Sequence, residues 1–265
     1  MNAAVAREQA MELFDLTDRT ALVTGAAGGL GGAQVEALMQ AGAHVVATDL
    51  EAEPIKRRLA RSGLPFKRLT ALELDITDEE RIAACVQHCE REFGGIDILS
   101  NNAAVSLPAP LIDYALADFD RTIAVNLRGL FAMSRDVAGS MTRQGRGGSI
   151  INIASIGGMV VDGPTSAAYD ASKAAVIQLT RNLAVELAPA GIRANAIAPG
   201  YMFTDMTERY TSDPDYMERL TTSKIPLGRV GHPREIGGAT VFLASDAASY
   251  VTGHTLNVDG GWVAI

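Results

Sequence analysis

Tyr169 and Lys173, four positions apart in Tyr169-Asp170-Ala171-Ser172-Lys173, are the residues of this 265-residue sequence best placed to do chemistry. On a helix, positions i and i+4 share a face, so the lysine ammonium stands beside the phenol. A free phenol ionises at a pKa of about 10, too high for easy proton exchange near neutrality. A fixed positive charge alongside favours the phenolate and lowers that value. Tyr169 then becomes an acid/base for a proton on a substrate oxygen, and Ser155, at the end of a β-type run, can donate to the same oxygen as charge develops on it. The Tyr-x-x-x-Lys spacing alone is common on helix surfaces and gains meaning only beside a second signal.

That signal is Thr24-Gly25-Ala26-Ala27-Gly28-Gly29-Leu30-Gly31, which follows a β-type run and opens a helical one. Glycines there let the backbone turn sharply and approach a pyrophosphate, while free N–H groups at the helix start supply donors and a favourable dipole. Eighteen residues after Gly31, Asp49 ends the second β-run in His44-Val45-Val46-Ala47-Thr48-Asp49. A carboxylate there accepts from both hydroxyls of an adenosine ribose, which points to NAD. A 2′-phosphate would face like charge, and Glu51 and Glu53 add to it; Lys56, Arg57 and Arg58 are the nearby counterweight, a helical turn or more further on. Asp75, in Leu74-Asp75-Ile76, is read as binding the adenine amino group, the alternative being an N-cap for the next helix. Leu50 and Ile76, adjoining these carboxylates, are expected to touch the cofactor too.

The elements that must position these groups alternate regularly. Strands are expected over Ala21 to Thr24, His44 to Thr48, Leu69 to Leu74, Asp97 to Ser100, Ser149 to Ile153, Arg193 to Ile197 and Thr255 to Val258. Between them lie helical patterns over Gly31 to Gln40, Glu79 to Phe93, Leu116 to Thr142, Ser172 to Leu187 and Pro233 to Ala244. This is the signature of βαβ units: an α/β fold, a single doubly wound Rossmann-type domain with a parallel sheet of about seven strands and helices on both faces. The domain is expected over residues 18–265, after an N-terminal extension of residues 1–17. Pro199 to Pro226 lacks a strand, and the segment at about 201–225 reads as a substrate loop or lid.

Composition sets bounds on partners. A formal net charge of −8 argues against nucleic acid, which needs a concentrated basic surface. Charged residues near the start exclude a signal peptide, and no segment approaches a membrane span, so a cytoplasmic protein is expected. Cys85 and Cys89 lie four apart with His88 between them, but no second ligand cluster accompanies them; they read as helix cysteines in a reducing compartment, and no metal is expected.

Taken together, the glycine loop, Asp49 and the Ser155, Tyr169, Lys173 set resemble the short-chain dehydrogenase/reductase family from about Asp18 to the C-terminus. The resemblance implies NAD-dependent hydride transfer between a secondary alcohol and a ketone, with Tyr169 as general acid/base. Asn101-Asn102-Ala103-Ala104 is similar to the family's Asn-Asn-Ala-Gly segment, which stabilises the central sheet and passes near the cofactor ribose. Its last glycine is alanine here, harmless if φ is negative and strained if not. Asn126 matches the asparagine that holds a relay water to the lysine, completing a catalytic set of Asn126, Ser155, Tyr169 and Lys173. Tyr169 and Lys173 are also implied to touch the cofactor. Pro199, Gly200, Met202 and Thr204 match the segment at the nicotinamide carboxamide. Val251-Thr252-Gly253 with Asp259-Gly260-Gly261 matches the C-terminal signature, and the family's habit implies a homotetramer or a dimer.

Substrate-facing segments are expected at Val105 to Leu107, Ile156 to Val160 and Tyr201 to Tyr210, with Ser155, Gly157, Tyr169, Tyr201 and Met206 as contacts. These are mostly apolar, and an anionic substrate would usually meet an arginine pair where only Arg209 is in range. A neutral secondary alcohol or ketone is therefore preferred, with a polyol or sugar acid as the alternative. A 3-oxoacyl carrier-protein reductase fits less well, because such members use NADPH and Asp49 opposes it. An inactive NAD-binding sensor is disfavoured by the intact residue set.

Overall fold

Strands covered on both faces need apolar side chains at nearly every position, and the Val, Ile, Leu and Ala runs of this chain meet that demand. In the computed structural model, residues 11–63, 66–161 and 163–265 are described, the side chains of Phe66, Arg209 and Tyr210 excepted. Strands β1 (Thr20–Thr24), β2 (His44–Asp49), β3 (Leu69–Glu73), β4 (Ile98–Asn101), β5 (Gly148–Ile153), β6 (Ile192–Pro199) and β7 (Thr255–Val258) form one seven-stranded sheet in the order β3-β2-β1-β4-β5-β6-β7. Every neighbouring pair is parallel. Alternate residues serve opposite faces: Val23 and Val45 pack with Leu38 and Ile236, whereas Leu22, Leu99 and Ile150 pack with Ile82, Met133 and Met141.

Helices cover both faces. They are α1 (Gly29–Gln40), α2 (Glu53–Ser62), α3 (Glu79–Phe93), α4 (Leu116–Ile123), α5 (Leu130–Gln144), α6 (Ala167–Leu187), α7 (Glu208–Thr211), α8 (Pro214–Ser223) and α9 (Pro233–Ala244). Helix α2 is not among the sequence expectations, because its highly charged run buries only Ile55 and Leu59. The helix expected over Leu116 to Thr142 is one continuous run of turns, but a π-helical stretch, Ala124–Gly129, divides α4 from α5. The strand-free stretch after β6 folds into α7 and α8.

At the N-terminus the packed chain begins earlier than residue 18. Leu16 is buried and its N–H donates to Ala41 O, and Ala247 N–H donates to Leu13 O; residues 1–10 lie outside the described residues. Cys85 and Cys89 face the core from α3. No described helix is long and apolar enough to cross a membrane.

The strand order reverses direction between β1 and β4. Loops leaving the carboxyl ends of these neighbours diverge to opposite faces, and a crevice opens above them. The residues expected to do chemistry all follow strand ends on this side.

Candidate active site

A cleft of about 810 Å³ occupies that crevice, lined by residues after six of the seven strands. Its wall after β1 is the glycine loop. Gly25 has φ +65°, and a Cβ there would stand 2.8 Å from Ala103 Cα; a Cβ on Gly31 would meet Gly25 O at 2.1 Å. Gly28 differs, since a Cβ there meets nothing nearer than Gly25 O at 3.6 Å. Glycine at 25 and 31 thus lets the loop fold back on itself, whereas Gly28 leaves open space toward the cleft. Gly28 is the N-cap of α1, so the N–H groups of Gly29, Leu30 and Gly31 have no helical partner and point out of the helix start. Helix α1 starts at Gly29, two residues before the expected Gly31, and its first turn carries the loop.

Asn102 holds this loop from the β4 side. Its Nδ2 donates to Thr24 O at 3.0 Å and Gly25 O at 2.9 Å, and Gln34 Nε2 donates to its Oδ1 at 3.0 Å. Gln34, fully buried on α1, also accepts from Ser100 Oγ. Sequence reasoning missed Gln34, whose only signal is a polar residue on an otherwise apolar helix face. Asn101 ties the sheet centre together by donating to Ser134 Oγ and Asn152 Oδ1, each at 2.9 Å. Asp18 is the only described non-glycine with positive φ, so the alanine at position 104 carries no left-handed strain.

Asp49, Leu50, Asp75, Ile76, Asn102 and Ala103 all line the cleft. Asp49 Oδ2 accepts from Ala27 N–H at 2.9 Å and Oδ1 from Leu50 N–H at 2.8 Å, which fixes the carboxylate while leaving each oxygen a further lone pair. Asp75 does not cap α3. Its Oδ1 takes the Thr77 hydroxyl and N–H, contacts that hold its carboxyl below the ordinary value, and the cap is Asp78, accepting from Glu80 and Arg81 N–H. Lys56, Arg57 and Arg58 are absent from the lining; Arg58 crosses Gly32, where a Cβ would stand 1.9 Å from its Nε, and pairs with Glu36 at 3.1 Å.

Ser155, Tyr169 and Lys173 meet in the same cleft. Helix α6 carries the tyrosine and lysine one turn apart, with the Lys173 Nζ 5.7 Å from the centre of the Tyr169 ring. Nζ donates to Ile153 O, the last residue of β5, at 2.7 Å; burial lowers the Lys173 pKa from 10.5 to about 8. Ser155, in extended conformation just past β5, accepts from Gly157 N–H at 3.1 Å, so its own hydroxyl proton is left for the cleft.

Asn126 sits in the π-helical stretch, fully buried. Its amide accepts from Val105 N–H at 2.8 Å and donates to Val105 O at 2.9 Å and to Ser172 Oγ at 3.0 Å. Ser172 in turn donates to Tyr169 O at 2.6 Å. This chain joins the loop after β4 to the first turns of α6, and Ser172 is a second residue that sequence reasoning missed.

Past β6, Pro199, Gly200, Tyr201, Met202, Thr204 and Met206 line the cleft. Thr204 lies over the glycine loop: a Cβ on Gly29 would stand 2.9 Å from its methyl group. Thr207, which sequence reasoning also missed, donates to Met202 O and accepts from Thr204 N–H. Tyr201 stacks on Trp262 with ring centres 5.5 Å apart and shares a hydroxyl hydrogen bond with Tyr216 at 2.8 Å.

Two of the expected substrate segments contribute less than anticipated. Gly157 is absent from the lining, because the Asp170 carboxylate occupies the space in front of it. Of Ile156 to Val160 only Ile156 lines the cleft, while Val160 packs with the Trp262 cluster. Leu107 is likewise absent from the lining, its carbonyl accepting from Tyr114 OH, and Pro108 lines the cleft instead. Arg209 and Tyr210 have side chains outside the described residues. Among the described lining residues the cations are Arg121 and Lys173, against the carboxylates Asp49, Asp75, Asp170 and Asp205.

A family profile described as enoyl-(acyl carrier protein) reductase matches residues 25–263. The 3-oxoacyl-(acyl-carrier-protein) reductase of Thermotoga maritima is 40% identical over 94% of this chain and 99% of its own. The NAD-dependent glycerol dehydrogenase of Listeria innocua is 38% identical over 94% of this chain and 95% of its own. Among solved structures, a gluconate 5-dehydrogenase from Burkholderia cenocepacia in complex with NADP and tartrate is similar at a TM-score of 0.89 and 35% identity, covering 97% of this chain and 99% of that one. The names of these relatives differ in substrate and in dinucleotide, so the residues of the cleft itself must carry the distinction.

Proposed function

The chain belongs to the short-chain dehydrogenase/reductase family of oxidoreductases, and on that premise we propose that it is an NAD-dependent enzyme interconverting a neutral secondary alcohol and its ketone. One observation carries the reading: a buried ammonium and a phenol one helical turn apart line the same cleft as a glycine loop that has no room for side chains at Gly25 and Gly31. The fit to a dinucleotide rests on the open space at Gly28, the free N–H groups of Gly29, Leu30 and Gly31 for a pyrophosphate, and Asp49 for the ribose hydroxyls. Asp75 and Ile76 would hold the adenine, Asn102 and Ala103 the second ribose with Tyr169 and Lys173, and Pro199, Gly200, Met202 and Thr204 the carboxamide end.

A nicotinamide held there supplies hydride exchange with the carbinol carbon. Tyr169 takes the hydroxyl proton of the alcohol as that carbon gives up its hydride, and returns the proton when the ketone is reduced. Ser155 donates to the same oxygen while its charge changes. Lys173, anchored on Ile153 O, favours the phenolate electrostatically. Both amide protons of Asn126 are committed to Val105 O and Ser172 Oγ, so a relay water at this residue would have to donate to it, at Oδ1 or at the backbone carbonyl.

NAD is favoured over NADP because Asp49 lines the cleft, where its carboxylate would accept from ribose hydroxyls and oppose a 2′-phosphate, and none of Lys56, Arg57 and Arg58 lines it. A polyol is favoured over a sugar acid, since carboxylates outnumber cations and two phenols share one wall. Exposed apolar side chains on α4, α5 and α6, such as Leu116, Phe131 and Val185, support assembly of several copies, a homotetramer. The test is a panel of secondary alcohols, polyols, sugar acids and ketones with each dinucleotide, followed by the absorbance of reduced nicotinamide. Turnover of neutral alcohols with NAD is expected; turnover confined to sugar acids or to NADP would overturn the assignment.

A further inference from the structure

Asp170 is a carboxylate that proton exchange at a single carbinol does not use. It follows Tyr169 in the first turn of α6 and lines the cleft beside Gly163, Thr165 and Ser166. Ser166 Oγ donates to its Oδ2 at 2.6 Å, which fixes the group in place. Its Oδ1 faces the loop after β5: a methyl group on Gly157 would stand 2.2 Å from Asp170 Oδ1 and 3.5 Å from Ser155 Oγ. Glycine at 157 therefore leaves the room that this oxygen takes, in a space that the Ser155 hydroxyl also borders. Burial raises the Asp170 carboxyl above its ordinary value, with no cationic neighbour among the causes. A half-buried acceptor of this kind gains most from a donor that a ligand brings.

Resting on the reading above, we propose that Asp170 determines specificity: its Oδ1 accepts a hydrogen bond from a second substrate hydroxyl, on the carbon next to the one that reacts. A hydroxyl on that neighbouring carbon completes the acceptor while the reacting oxygen lies at Ser155 and Tyr169. A carboxylate in the same place meets like charge instead. The preferred substrate class is thus a neutral vicinal diol, or the corresponding α-hydroxyketone in the reverse direction.

The experiment compares cyclohexanol, 1,2-cyclohexanediol and 2-hydroxycyclohexanecarboxylate as substrates with NAD, using the full chain, Asp170→Ala and Asp170→Asn. Wild type is expected to favour the diol over cyclohexanol in kcat/KM. That ratio should fall about 10- to 100-fold in Asp170→Ala, the size of a lost hydrogen bond to a charged group. Asp170→Asn keeps the shape, so it reports even if the alanine variant fails to fold. In it the diol ratio should fall less, and kcat/KM for the hydroxy acid should rise. An unchanged diol-to-cyclohexanol ratio in both variants overturns the role of Asp170 and leaves the dehydrogenase reading standing. Absence of turnover on every alcohol and ketone, with NADH still bound, overturns that reading and this inference with it.

Discussion

Replacing Lys173 with methionine should change how stability depends on pH as well as stop turnover. In the native chain Lys173 is buried with Ile153 O as the acceptor of its Nζ, and burial takes its pKa from 10.5 to about 8. At about 1.4 kcal/mol per pH unit, holding that proton in the fold costs about 3 kcal/mol. Below pH 8 the native and unfolded chains both keep the proton, so the cost is present in full. Between about 8 and 10.5 the native chain sheds it while the unfolded chain still binds it, and stability therefore rises with pH. Methionine has no proton to lose. Urea unfolding of both proteins at one protein concentration, without dinucleotide and over that pH interval, should show wild type gaining about 3 kcal/mol on the variant. The comparison cancels other groups that titrate in the same range. Parallel stability curves would refute the reasoning, because they would mean that the ammonium has a countercharge or water beside it.

Tyr169→Phe should lower kcat by a factor of about 100 or more while NADH affinity, read by fluorescence titration, stays within about twofold; lost affinity would make the phenol structural. Asp49→Ala should raise Kd for NAD and lower it for NADP, and an unchanged preference would remove the carboxylate from the argument. Gly28→Ala and Gly31→Ala separate fold from binding. The first meets open space, so its Tm should match wild type while Kd for NAD rises about tenfold or more, whereas the second drives a methyl to 2.1 Å from Gly25 O and should lower stability by about 1–3 kcal/mol. Equal Tm losses in the two variants would contradict the loop geometry.

The sequence by itself determined the order of strands and helices and the chemical groups brought to the cleft. Both belong to short-range physics: burial on two faces writes apolar runs into β1 and β6, and helical spacing puts Lys173 one turn from Tyr169. The glycine loop was legible for the same reason, since its turn and its helix start lie within a few residues. Helix α2 was not, because a charged run with two buried side chains has almost no apolar stripe. Nor was the π-helical turn at Asn126, whose amide finds Val105 and Ser172 across the fold. Only the tertiary structure decided which groups meet at the cleft. Gln34 was set between Ser100 and Asn102, and Asp170 took the place expected for Gly157. The Gln34 contacts depend on the order of strands in the sheet, which brings together residues far apart in the chain, and periodicity along one segment carries no information about which segment lies beside it.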